Sequence, residues 1–272
     1  MIWQCPHCEQ PLRQQENQWR CDTGHSFDRA REGYVNLLPA NRKRSREPGD
    51  SAEMLQARRQ FLEAGYYRPL ADAICAQLPA REGARLLDLG CGEGYYARQL
   101  SVKGWSEQAI TGVDIAKSGV RLAAKRMPSA EFGVASSFHL PLLPESHDAV
   151  LRVFAPGPAA EIARVLKPDG ELLDITPGPE HLWSLKQRLY REPRPHRTPD
   201  DLEGFSLIAE MRCCFALHLK SREHIADFLA MTPFAWTAAR KGQDAAREAL
   251  SELDSLQLEA DFLLRRWKKV SR

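Results

Sequence analysis

Four residues close to the amino terminus have the types and the spacing of a metal site. Cys5-Pro-His-Cys8 and Cys21-Asp-Thr-Gly-His25 together make a C-x2-C-x12-C-x3-H pattern. Thiolates and an imidazole at this spacing close two tight turns around a tetrahedral Zn²⁺, and Pro6 and Gly24 suit such turns. Cys5, Cys8, Cys21 and His25 would fill all four positions, which makes the metal structural rather than catalytic. His7 is the competing ligand; the knuckle spacing favours Cys8. A unit of roughly thirty-five residues buries little core of its own, so metal binding would drive its folding.

A second constellation lies at Leu86-Leu-Asp-Leu-Gly-Cys-Gly-Glu-Gly94, an apolar strand that runs into a glycine-rich turn. Gly90, Gly92 and Gly94 remove the side chains that would hold a ligand off the backbone. The helix expected from Tyr95 turns its free N–H groups toward whatever lies in the turn. Strand, glycine turn and helix make a nucleotide site in an open α/β sheet. The glycines alternate, unlike the G-x-G-x-x-G of dinucleotide folds, and no Lys-Ser/Thr follows, which excludes a P-loop. Asp114 ends the next apolar run, Ala109–Asp114, where a carboxylate accepts hydrogen bonds from a ribose diol. Asp88, inside the strand, reads as a residue that orders the turn.

These groups need a scaffold. Arg85–Leu89, Ala109–Asp114, Glu131–Ala135, Ala149–Phe154 and Glu171–Thr176 read as strands, with helices near Ala97–Lys103, Ser118–Arg126 and Ala159–Leu166. Such alternation predicts an α/β fold with a doubly wound, mostly parallel sheet. Upstream, Ser51 can cap a helix over Ala52–Ala64 that Gly65 stops. Tyr66 and Tyr67 precede a second helix, and this pair is expected to cover the ligand mouth. Downstream come a helix at His181–Tyr190, a Pro-rich connector at Pro193–Pro199, a strand-rich Phe205–Leu219, helices near Ser221–Ala230 and Gln243–Leu253, and a last strand near Ala260–Trp267.

Composition narrows the class. Lys and Arg number 38 against 36 Asp and Glu, a net charge of +2, which argues against wholesale polyanion binding. The charge is uneven, with compact basic runs at Arg42–Arg46 and Arg265–Lys269 and with Arg191, Arg194 and Arg197 in the Pro-rich segment. Each reads either as a solvated face or as part of a nucleic-acid footprint. No run approaches the ~20 apolar residues of a membrane span. Seven cysteines with no evident disulfide framework, and no signal-peptide pattern, lead us to expect a cytoplasmic protein.

The string Asp88-Leu-Gly-Cys-Gly-Glu-Gly94 with Val113-Asp114 resembles motifs I and II of Rossmann-like S-adenosylmethionine methyltransferases. Glu161–Gly170 is similar to the helix and turn before the fifth strand of that superfamily. Arg31–Pro39, Pro48-Gly-Asp-Ser, Val134-Ala-Ser-Ser137, Thr176-Pro-Gly-Pro179 with His181, and Met231–Trp236 narrow the match. Together with the Cys/His cluster, they resemble the 23S ribosomal RNA (guanine-N1)-methyltransferases over nearly the whole chain. The resemblance implies methyl transfer from S-adenosylmethionine to N1 of a guanine in a domain II hairpin, 23S ribosomal RNA as partner, and a homodimer. It divides the chain into a zinc module for RNA recognition (1–35), a basic linker with a helical segment (36–80) and a methyltransferase domain (81–272).

By motif position, the resemblance adds Tyr67, Gly92, Glu93 and His181 as cofactor contacts, beside Asp88, Gly90 and Asp114. It departs at Ser136, where many superfamily members carry an Asp that accepts from the adenine amine; a Ser accepts only through its hydroxyl. Asp50, Glu93 and His181 are conceivable bases for guanine N1, and the catalytic residue stays unassigned. Phe154, Phe234 and Trp236 could stack on an extruded base, with core packing as their ordinary role. Two other functions compete. A small-molecule, quinone-type methyltransferase needs neither the Cys/His cluster nor the basic linker, and a zinc-ribbon RNA adaptor with a vestigial pocket does not need the intact glycine turn and Asp114.

Overall fold

The computed structural model describes residues 2–42, 49–232 and 244–270. A small antiparallel sheet comes first, from β1 (Arg13–Gln15), β2 (Gln18–Arg20) and β3 (Ser26–Asp28). The main sheet holds β4 (Val35–Asn36), β5 (Leu86–Leu89), β6 (Ile110–Asp114), β7 (Glu131–Val134), β8 (His147–Val153), β9 (Leu166–Pro177), β10 (Phe205–Leu219) and β11 (Leu256–Lys269). Its order is β10-β11-β9-β8-β5-β6-β7-β4. Strands β4 to β9 pair in parallel, whereas β11 runs antiparallel to both β9 and β10. All four residues of β5 are buried, as a strand covered on both faces requires. The expected mostly parallel, doubly wound sheet is therefore present, flanked at one side by the long antiparallel pair β10 and β11.

The helices are α1 (Ala52–Glu63), α2 (Arg68–Gln77), α3 (Tyr95–Val102), α4 (Lys117–Arg126), α5 (Ala159–Val165), α6 (Trp183–Leu189), α7 (Arg222–Met231) and α8 (Asp244–Ser251). Ser51 caps α1 as expected, its hydroxyl accepting from the Met54 N–H at 3.2 Å. One face of the sheet packs Leu86, Leu151 and Leu173 against Phe61 of α1, Ile74 of α2, Ala97 of α3, Val120 of α4 and Phe228 of α7. The opposite face packs Leu87, Val150 and Leu172 against Ile162 and Val165 of α5.

The cover of that second face is completed by the metal-binding unit. Trp3, Leu12 and Trp19 belong to the same apolar cluster as Leu87 and Val113. The ring of Trp3 occupies the space where a Cβ on Gly133 would stand, and its indole N–H donates to Glu131 at 3.2 Å. Val35 and Asn36 then add β4 to the free edge of β7. The expected division between residues 35 and 36 falls within β4, and the segment from Ile2 to Val35 packs on the main sheet.

His181 does not open a helix. It sits in a turn ahead of α6, its N–H bonded to Gly178 O at 3.1 Å. Leu182 takes a left-handed φ of 53° and donates its N–H to Glu259 O on β11, so helical geometry begins only at Trp183.

Candidate active site

The chain leaves β5 for β6 and β7 on one side and returns to β8 and β9 on the other, so β5 marks the switch point where an α/β sheet binds ligands. The turn after it carries Gly90, Gly92 and Gly94 at φ of 79°, 52° and 80°, left-handed values that other residues reach only with strain. A Cβ on Gly90 would collide with Ala155 after β8. One on Gly119 would lie 2.9 Å from Gly92 O, so α4 packs directly on the turn. In front of Gly92 the space is open, with only an Arg58 guanidinium nitrogen at 4.0 Å from where its Cβ would be. The backbone there forms a cradle that a side chain would fill. Arg58 belongs to α1 and pairs with Asp50 at 2.5 Å, so α1 overlies the turn as expected of the helical pair.

Asp114 stands half-buried at the tip of β6. Its carboxylate accepts from the Gly92 N–H at 2.9 Å and the Ala116 N–H at 2.7 Å. Burial raises its pKa, and those two N–H bonds oppose the rise. Each oxygen keeps acceptor capacity for a sugar hydroxyl. Asp88 is buried beneath the turn, with one carboxylate oxygen lacking a hydrogen-bond partner. Burial first, then the Asp114 charge, push its pKa up to about 7. Asp88 thus supports the turn from inside rather than facing the crevice. Glu93 is also buried, and its carboxylate meets Arg126 of α4 at 2.7 Å; the same arginine pairs with Glu63 of α1.

Two further site candidates meet on one ring. Tyr67, ahead of α2, stands edge-on to Phe262 of β11 at 5.2 Å, and His181 lies 4.5 Å from the same ring. His181 Nδ1 accepts from the Asp261 N–H at 3.3 Å. Burial, with the nearby His196 and Lys186, lowers its pKa to about 3, so the ring is neutral. Asp261 is held by Arg212 at 2.8 Å and by the Glu180 N–H at 3.0 Å. A Cβ on Gly178 would run into its carboxylate. The sequence does not single out Phe262, Asp261 or Arg58, because only the pairing of β11 with β9 and the packing of α1 over the turn bring them here.

None of the conceivable bases is free. Asp50 is paired with Arg58, Glu93 with Arg126, and the lone pair of the neutral, weakly basic His181 is taken by the Asp261 N–H. The Ser136 hydroxyl accepts from the Phe138 N–H at 3.2 Å and so closes its own turn. Phe234 and Trp236 lie outside the described residues.

At the other pole, the ligand atoms of Cys5, Cys8, Cys21 and His25 all lie within 4.8 Å of one another. The Cys8 and Cys21 sulfurs are 3.7 Å apart, and His25 Nδ1 is 3.5 Å from the sulfurs of both Cys5 and Cys21. A tetrahedron with bonds of about 2.3 Å to sulfur and about 2.0 Å to nitrogen requires edges of about 3.5–3.8 Å, so the donor set fits Zn²⁺. Thr23 places its hydroxyl 2.9 Å and 3.0 Å from the Cys8 and Cys21 sulfurs, a support that the ligand pattern does not reveal.

Two family descriptions match the chain. One is "RlmA, N-terminal", a zinc ribbon, over residues 3–46; the other is "Methyltransferase domain", over residues 86–170. The chain is 33% identical to the 23S rRNA (guanine(748)-N(1))-methyltransferase of Streptomyces fradiae, with 85% of each covered. The chain belongs to the 23S rRNA (guanine-N1)-methyltransferase family. Relatives from Micromonospora griseorubida and Bacillus subtilis, both named for guanine-N1 methylation of 23S rRNA, are 35% and 31% identical. The matches cover 91% and 97% of this chain and 91% and 96% of theirs.

The basic runs of this methyltransferase do not behave alike. Lys43, Arg44 and Arg46 lie outside the described residues. Arg191, Arg194 and Arg197 are exposed. The run Arg265–Lys269 is not an open patch. Arg265 is buried over Trp267 and donates to Pro199 O, Arg266 and Lys268 pair with Glu171 and Asp169, and Lys269 donates to Leu166 O. Its charges brace β11.

Proposed function

We propose that the protein methylates N1 of a guanine in 23S ribosomal RNA at the crevice above Gly90, Gly92 and Gly94, acting in the cytoplasm as a homodimer. The observation that carries this reading is one polypeptide joining a side-chain-free cradle beside Asp114 to a four-ligand Cys/His cluster, in a chain that matches its relatives over most of its length. S-adenosylmethionine, when bound, supplies a methyl group already activated on a sulfonium. The chain's part is to bind and align. Gly92 and the backbone of Glu93 would lie along the donor, Asp114 would accept from its sugar, and Tyr67 and His181 would flank it near Phe262. Holding nucleophile and methyl in line can contribute roughly 7–11 kcal/mol.

The zinc unit, the basic run Arg42–Arg46 of the sequence and the exposed Arg191, Arg194 and Arg197 are the groups offered to RNA. Mass spectrometry of 23S rRNA from a strain lacking the gene tests the reading. One missing methyl, on guanine N1 and restored by the gene, is the expected result; an unchanged methylation map contradicts it.

A further inference from the structure

Phe154 follows β8 directly, and it is not a core residue. The residue is 45% exposed, and its backbone has a left-handed φ of 54°, which is costly for an aromatic residue. The conformation is enforced from both sides. Its N–H donates to Ile175 O on β9 at 3.1 Å, and Ala155 is pressed onto Gly90 of the donor turn. The ring leans on Phe262 at 5.4 Å, the same ring that carries Tyr67 and His181. An exposed aromatic face is thus held rigidly one residue from the glycine cradle. It stands at the tip of β8, on the opposite side of β5 from Asp114. A donor whose sugar meets Asp114 and whose chain crosses the glycine turn presents its far end toward β8.

We propose that Phe154 is the platform on which the acceptor, a planar purine taken out of its RNA stack, lies during methyl transfer. This rests on the functional reading given above. A flat ring backed by protein on one side and open on the other suits a base. Its backbone strain is the kind retained where a side chain must be presented rather than buried.

The test uses the full-length, zinc-replete protein with in vitro transcribed 23S rRNA and a labelled methyl donor. Affinity for S-adenosylhomocysteine is measured alongside by calorimetry. Phe154→Leu should lower kcat/KM for the RNA by about tenfold to a hundredfold, the scale of one lost base–aromatic stack, and Phe154→Tyr should restore it to within about threefold. Phe154→Gly, which suits the left-handed backbone, should keep or raise Tm while losing as much activity as the leucine variant. All three should bind S-adenosylhomocysteine within about twofold of wild type. A leucine variant as active as a working wild type overturns the platform alone. So does loss of S-adenosylhomocysteine affinity in step with activity, or a tyrosine variant no better than leucine. Wild-type protein that transfers no methyl to this RNA contradicts the functional reading and the platform with it.

Discussion

Asp114 and Gly92 are bound to each other before any ligand arrives. The carboxylate proposed to meet a sugar already accepts from the Gly92 N–H at 2.9 Å, so strand tip and glycine turn are fixed as one unit, and little reorganisation remains for binding. Because the space before Gly92 is open, Gly92→Leu should send its side chain into the crevice rather than into the core. The expected outcome in calorimetry is at least a hundredfold loss of S-adenosylhomocysteine affinity with the fold retained, at a backbone cost of about 1–2 kcal/mol; retained affinity would place the donor elsewhere. Asp88 gives a pH signature. Its pKa is near 4 in the unfolded chain and about 7 in the fold. Between those values the folded state holds the extra proton, so its contribution to stability is full below pH 4 and is lost as the pH rises to 7. Asp88→Asn cannot ionise. Its stability relative to wild type, from urea unfolding, should rise between pH 4.5 and 7.5; a constant difference would mean that Asp88 is ordinary.

Elements show where the sequence was readable and where it was not. Leu86–Leu89 and Ile110–Asp114 are buried strands built mainly on apolar residues, and the cap at Ser51 sits where a hydroxyl residue precedes a helical period. Such signals are local. The two-residue β4 is too short for any period, and the burial of Trp3 depends on Gly133, far away in sequence. The turn at His181 hinges on Leu182, an apolar residue in a left-handed conformation that no composition rule anticipates. Likewise the bracing role of Arg266 and Lys268 depends on carboxylates of the neighbouring strand.

The layer formed by the zinc unit has a measurable consequence. Cys21→Ser should release the metal, loosen the first unit and, because Trp3 and Leu12 are part of the sheet's cover, lower the Tm of the whole protein by several degrees. Donor affinity should be largely preserved, since the crevice lies at the β5 and β6 tips. An unchanged Tm at zero zinc would mean that the unit packs independently.

At the scale of the whole molecule, metal unit and glycine turn belong to one body. The metal unit covers one face of the sheet, the helices α1 to α4 cover the other, and the crevice opens at the strand tips between them. Charge for RNA must then come from outside the sheet. Neutralising Arg42, Lys43, Arg44 and Arg46 should weaken RNA binding and flatten its salt dependence. Neutralising Arg266 and Lys268, already paired, should leave the salt slope unchanged and cost only stability. Equal slopes for both sets would contradict this division. The central claim is tested most directly by incubating the purified protein with 23S rRNA from a strain lacking its gene and with isotopically labelled S-adenosylmethionine, then sequencing the product by mass spectrometry. The expected result is one labelled methyl per RNA, on N1 of a single guanine, and none with Gly92→Leu. Label on any other atom, or full transfer by the Gly92 variant, would contradict it.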